Sequence, residues 1–201
     1  MNDPRLRIVV ADDDRDTREY LAEALLRMGH EVVATATNGG DLVEQARARS
    51  PDLVITDIKM PKMDGIEAGT EVNRDRQVPI ILLSAHHDEE LVKRALSAPF
   101  MAYLVKPVTE ADLRTAVPLA MSRFRELRSL TEEATSLRQA MQDRKLIERA
   151  KGILMKRLRI DEEDAYRRMR MLASNQNRKM TEVSRDIAGA EEIFYRLEAI
   201  Q

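Results

Sequence analysis

The stretch Leu53-Val54-Ile55-Thr56-Asp57-Ile58-Lys59-Met60-Pro61 places an acidic residue at the end of an apolar run. A short continuous run of branched apolar residues, bounded by turn chemistry, reads as a strand buried on both faces of a parallel sheet. Working outward, two more apolar runs end in charge. Residues 6–11 close on Asp12-Asp13-Asp14, and residues 101–105 close on Lys106-Pro107. As parallel strands, the three runs deliver their polar endings to one edge of one sheet. Open α/β sheets hold their ligands at that edge.

The first half alternates in period. Strand-like runs fall at 6–11, 31–36, 53–57, 79–84 and 101–105, with helical patterns at 16–28, 40–48, 65–75 and 88–98 between them. This alternation predicts an α/β fold, a doubly wound five-stranded parallel sheet. Thr109 is suited to N-cap a fifth helix. The second half has no strand signal. Residues 119–158 read as helix, and Leu127, Leu130, Ala134, Leu137 and Met141 repeat at spacings of 3 and 4, a coiled-coil seam. The register slips near 143–145. Asp161 is suited to cap a second helix from 162 to about 173, and Thr181 a third from 182 onward. The expected tail is a coiled-coil helix followed by a small three-helix bundle, with Ile147, Ala150, Ile153, Leu154, Leu158, Ala165, Met169 and Leu172 as its core stripe.

A chain of 201 residues allows one or two domains. It has no cysteine, which excludes disulfides and thiolate metal sites. No apolar run reaches the roughly 18 residues of a membrane span, and Met1-Asn2-Asp3-Pro4 does not resemble a secretory signal. A cytoplasmic, soluble protein with no membrane partner is expected. Residues 1–120 carry 15 basic and 21 acidic side chains, whereas 121–201 carry 18 and 14. An acidic half joined to a basic half points to two jobs.

The acidic edge suits a carboxylate that accepts a phosphoryl group. Both partners are anionic, so a divalent cation is needed. Mg2+ takes oxygen ligands from one or two carboxylates and bridges to phosphate oxygens. Asp13 and Asp57 can supply ligands, with Asp12 beside them. Lys106 is placed to neutralise one phosphoryl oxygen, and the Ser84 hydroxyl to hydrogen-bond another. Taken singly, Asp12–Asp14 could be a helix cap and Asp57 a turn residue. His86 and His87 read as surface positions.

In order and spacing, Asp12-Asp13, Asp57 with Met60-Pro61 and Asp64-Gly65, Ser84-Ala85 and Tyr103-Leu104-Val105-Lys106-Pro107 resemble the receiver domain of response regulators over residues 5–120. The resemblance implies a flavodoxin-like fold with Asp57 as phosphoacceptor. Asp12, Asp13, Asp57 and the Lys59 carbonyl would be metal ligands, Ser84 and Tyr103 switch residues, and Lys106 the phosphate sensor. It also implies a cis Lys106–Pro107 bond. Lys59 and His86 would set the lifetime of the phosphoryl group. The enzymes of the haloacid-dehalogenase family share this chemistry, but their Asp-x-Asp-x-Thr/Val motif fails at Asp16. No catalysis beyond self-phosphorylation of Asp57 is expected.

Between 141 and 160 there are seven basic residues and two acidic ones. The segment Ile147-Glu148-Arg149-Ala150-Lys151-Gly152-Ile153-Leu154-Met155, then Asp161-Glu162-Glu163-Asp164-Ala165-Tyr166, resembles the ANTAR domain of bacterial antitermination regulators. That resemblance implies RNA hairpins as ligand. Tyr166 and Ser184 depart from the residues common there. Arg144, Arg149, Lys151, Arg178 and Lys179 are the candidate RNA contacts, since such cations release counterions from phosphates. By charge alone they form a solvated helix face. Gly152 in mid-helix costs about 1 kcal/mol relative to alanine, which a close approach would justify. The expected layout is a receiver at 5–120, a coiled-coil linker at 121–143 and an ANTAR domain at 144–195. A sensor histidine kinase would be the phosphoryl donor and phosphorylation would favour a homodimer. The alternative output is a protein-interaction module that dimerises without RNA.

Overall fold

A computed structural model describes residues 4–85 and 100–199. The five apolar runs form β1 (Arg7–Ala11), β2 (Glu31–Ala36), β3 (Leu53–Asp57), β4 (Ile80–Ser84) and β5 (Ala102–Val105). They make one parallel sheet in the order β2-β1-β3-β4-β5. The helices are α1 (Arg15–Arg27), α2 (Gly39–Arg49), α3 (Gly65–Asp75), α4 (Glu110–Leu158), α5 (Glu162–Asn175) and α6 (Met180–Glu198). The helix expected over 88–98, and with it His86 and His87, lies outside the described residues.

Alternation along each strand sorts the core into two faces. Ile8, Val10, Ile55, Ile81 and Leu83 pack with Leu21 and Leu25 of α1 and with Leu113, Ala116, Val117 and Ala120 of α4. Val9, Ala11, Val54, Ile80 and Leu82 pack with Leu42 and Val43 of α2 and with Ile66, Ala68 and Val72 of α3. Each fully buried leucine or isoleucine stabilises the fold by about 1.5–3 kcal/mol relative to exposure. Asp14, Asn38, Asp64 and Asp161 cap their helices, each accepting from an N–H three residues on. Gly29 (φ +89°) ends α1 in a left-handed turn. Its N–H donates to the Leu26 carbonyl at 2.9 Å, and that of His30 to Leu25 at 3.0 Å.

The structure differs from expectation in α4. A separate fifth helix and a helix over 119–158 are in fact one helix of 49 residues, with Pro118 inside it. Thr109 caps it: the Asp112 N–H donates to Thr109 Oγ1 at 3.2 Å, and the Thr109 N–H to Asp112 Oδ2 at 2.9 Å. Proline removes one helical hydrogen bond, but Ala116, Val117 and Ala120 around it are buried against the sheet and hold the helix course.

The chain divides into two compact units, Met1–Ser129 and Leu130–Gln201. The second has a core of small residues. Ala150, Ala165, Met169, Ala173, Val183, Ser184 and Ala188 are buried. Leu158 and Leu172, expected in that core, are 49% and 43% exposed. Alanines let the helices approach closely, and the two leucines fall on the margins of the contact. The Ser184 hydroxyl is buried and donates to the Met180 carbonyl at 2.8 Å. Helix α6 begins at Met180, ahead of the expected cap Thr181, and Glu182 Oε2 accepts the Lys179 N–H at 3.3 Å. The seam residues Leu127, Leu130, Leu137 and Met141 are exposed.

Candidate functional site

The sheet register explains how residues far apart in sequence meet. Ala11 pairs with Thr56, Asp57 with Leu83 and Ser84 with Val105, so four strand ends lie side by side. Asp12, Asp13 and Asp57 each present an oxygen within 4.8 Å of the others. Lys106 Nζ donates to Asp57 Oδ2 at 2.8 Å and lies 2.7 Å from Asp12 Oδ2. The second contact is an ion pair, and the buried Asp12 Oδ2 has no other polar partner among the described residues. Asp14 does a different job, capping α1 through Thr17. Ser84 is buried, and its carbonyl accepts the Lys106 N–H at 2.8 Å. Tyr103 is half-buried against the α2–α3 face of the core. The Lys106–Pro107 bond is cis. Lys59 is exposed two residues beyond β3. A cleft lined by Asp14, Thr17, Tyr20, Ala85, Lys106 and Pro107 adjoins the cluster.

Burial raises the Asp12 carboxyl above its ordinary value; Lys106 and the Asp14 N–H oppose this without cancelling it. For Lys106, burial pulls downward, but contacts with Asp12 and Asp57 outweigh it and the ammonium ends above its usual range. A cluster of three carboxylates served by one ammonium is short of positive charge. Its all-oxygen donors, within 4.8 Å of one another, fit a hard divalent cation. One residue escaped the sequence reading. Arg18 Nη1 donates to the carbonyls of Asp12 at 2.7 Å and Asp13 at 3.1 Å, clamping the acidic loop. A side chain aimed at backbone leaves no residue-type signature.

Family models match this chain twice: the response regulator receiver domain over residues 8–118 and the ANTAR domain over residues 135–187. The chain is a response regulator. It is 42% identical over 178 residues to the transcriptional regulatory protein PdtaR of Mycobacterium tuberculosis, covering 89% of this chain and 87% of that protein. It superposes on the signal receiver domain of NarL from Mycobacterium tuberculosis with TM-score 0.56 and 31% identity, over 59% of this chain and 97% of that one. A CheX–CheY–BeF3–Mg2+ complex from Borrelia burgdorferi aligns with TM-score 0.53 and 30% identity, over 59% of this chain and 88% of the matched one. The regulator's ANTAR output makes it an RNA-binding controller of transcription antitermination.

In that output unit the structure separates the candidate RNA contacts. Arg144, Arg149 and Lys179 are exposed and have no ion pair among the described residues. Arg178 is held by Asp186 at 2.6 Å and Glu182 at 3.5 Å. Lys151 is only 7% exposed, with Nζ at 2.6 Å from Glu162 and 2.8 Å from Glu148. Its ammonium thus ties α4 to the first turn of α5, which sets Lys151 apart from the unpaired candidates. Hydrogen bonds to Glu148 and Glu162 raise it above the ordinary lysine value. Its contribution to stability is therefore complete below that ordinary value and is lost as pH rises through the raised one. Lys151→Met is expected to lower the unfolding midpoint of the response regulator and to leave the salt dependence of RNA binding unchanged. Thermal unfolding and a salt titration check both halves; a shallower salt dependence would return Lys151 to the RNA face.

Proposed function

We propose that Asp57 is the phosphoacceptor of this regulator, with a sensor histidine kinase as donor. A carboxylate oxygen of Asp57 attacks phosphorus, the bond from phosphorus to the kinase histidine breaks, and its electron pair stays on the imidazole. The observation that carries this is the Lys106 ammonium held between Asp57 and Asp12 inside a cluster of three carboxylates. Asp12, Asp13, Asp57 and the Lys59 carbonyl would hold Mg2+. When bound, the cation would supply positive charge that lets two anions approach. The Borrelia burgdorferi complex, which contains BeF3 and Mg2+, supports this assignment. Lys106 neutralises one phosphoryl oxygen and Ser84 donates to another. Tyr103, at the edge of the core, repacks in response. No other catalysis is assigned, and the site of action is the cytoplasm.

The proposed layout is a receiver at 5–120, a linker at 121–143 and an ANTAR domain at 144–195. Phosphorylation favours a homodimer through the seam from Leu127 to Met141, whose leucines are exposed in the single chain. Ala134 in so short a seam leaves pairing marginal. A coupling on the order of 1–3 kcal/mol is then enough to shift it. The dimer presents two helical units to paired RNA hairpins. Sedimentation with Mg2+ and beryllofluoride tests the switch. The mass of the wild type is expected to rise towards a dimer, while Asp57→Asn stays unchanged. A shift in both proteins would remove Asp57 from the acceptor role, and no shift in either would remove the dimer.

A further inference from the structure

Helix α4 carries a charged stripe on the side turned away from the output unit's core. At the helical period, Arg138, Lys145, Arg149, Gly152 and Lys156 fall within an arc of about 60° and span about 27 Å. Ala150, Lys151 and the half-buried Leu154 occupy the opposite side. All five stripe residues are exposed. Among the described residues none of the four cations has an ion pair, whereas Lys151 on the same helix and Arg178 ahead of α6 are both paired. No carboxylate lies in the arc between Arg138 and Lys156, since Asp143 and Glu148 project from other sides.

Gly152 stands inside this stripe. A Cβ built there meets nothing within 4 Å, and its φ is not in the left-handed region. Among the described residues no packing, and no backbone conformation, therefore requires glycine, although glycine weakens a helix interior. What it provides is bare backbone, flanked by unpaired cations and open to solvent.

We infer that the stripe Arg138–Lys145–Arg149–Gly152–Lys156 is the face that receives RNA, with Gly152 the point where the RNA backbone comes closest to the helix. The inference rests on the RNA-binding reading of the output and adds a surface to it. Phosphates match four uncompensated cations. A second copy of the same stripe would meet it with like charge, which argues against self-pairing here.

The test uses the full chain with Mg2+ and beryllofluoride, and a synthetic RNA of two stem-loops, at low salt where phosphate contacts need no cognate sequence. Gly152→Ala is expected to raise the unfolding midpoint by about 2–4 °C and to weaken RNA binding about tenfold or more, as overpacking does at a close contact. The triple variant Lys145→Gln, Arg149→Gln and Lys156→Gln is expected to reduce the salt slope by about 2. Arg167→Gln, Arg168→Gln and Arg170→Gln together on α5 remove the same three charges and leave affinity near that of wild type. Equal losses in the α5 control and the stripe variants would overturn the stripe. Wild-type affinity in Gly152→Ala would overturn the close approach. A change of sedimenting mass in Gly152→Ala with RNA affinity intact would make the face an interface between copies, against the inference. Failure of the wild type to bind RNA at all would overturn the RNA reading itself, a result distinct from the other three.

Discussion

Gly65→Ala is expected to destabilise the N-terminal unit by about 3 kcal/mol or more, because overpacking against backbone leaves no soft way to relax. A Cβ at Gly65 would lie 1.9 Å from the Asp57 carbonyl oxygen and 2.9 Å from Thr56 Oγ1. Neither neighbour can step aside. The Thr56 hydroxyl donates to that same Asp57 carbonyl at 3.0 Å, and both residues are buried in β3. The Gly65 N–H is also committed, donating to the Ile58 carbonyl at 2.8 Å, which brings the first turn of α3 against the end of the strand. The methyl group can be accommodated only by moving α3 or the backbone of Asp57. A second loss follows from the first. Displacing Asp57 against Asp12 and Asp13 is expected to weaken binding of Mg2+ with beryllofluoride as well as stability. Denaturant unfolding of the full chain and a titration of the phosphoryl mimic read the two effects. An unfolding midpoint equal to that of wild type would show that the contact has room the geometry denies.

The same glycine shows where sequence stops being informative. Asp64-Gly65 reads as turn chemistry, and a turn does form, with Asp64 Oδ1 accepting the Glu67 N–H at 2.7 Å. The reason for glycine is instead a close approach to a strand end, and spacing does not report how near two elements come. The sheet was legible because its strands are buried on both faces and so appear as unbroken apolar runs. The site was legible for a related reason. Asp12, Asp57, Ser84 and Lys106 each terminate one of those runs, so parallel pairing alone brings them together. Contacts made across helices were not legible. Lys151 looked like one more cation in a basic segment until Glu162, on the next helix, was found 2.6 Å away. The continuity of α4 was not legible either: proline penalises an isolated helix, and at Pro118 the buried faces on either side decide the outcome. A periodic stripe also overestimated the output core, since Ala150, Ala165 and Ala173 set a spacing that leaves Leu158 and Leu172 outside.

Lys106→Met is expected to produce a protein that is unstable without Mg2+ and rescued by it. The ammonium contacts Asp57 at 2.8 Å and Asp12 at 2.7 Å, with the lysine side chain 20% exposed and the two carboxylates 8% and 0%. Removing one partner of a buried charge pair leaves the others uncompensated. Such losses run to about 3–5 kcal/mol, and the partial exposure of Lys106 places this one towards the lower end. The removed charge is also the one that competes with a cation for the Asp12 oxygen, so affinity for Mg2+ is expected to rise roughly tenfold, about 1.4 kcal/mol. Ligand that binds only the folded state then restores stability. The pH dependence has a definite sign. Burial, the largest influence, already holds the Asp12 carboxyl above its ordinary 3.8, and Lys106 is the main group opposing it. Without Lys106 the carboxyl rises further, so the folded state binds that proton more tightly than the unfolded chain does. Stability of the variant therefore increases as pH falls from above the raised value towards 3.8. Its deficit relative to wild type is largest at neutral pH and shrinks on acidification through that window. Unfolding curves over pH 4–8 with and without Mg2+ measure all three effects. Because Asp57 remains, Mg2+ and beryllofluoride should still bind, but without the ammonium to draw β5 towards the phosphoryl group the rise in sedimenting mass is expected to be lost. A variant as stable as wild type in the absence of Mg2+, and unchanged by its addition, would mean that Lys106 does not hold the acidic cluster together.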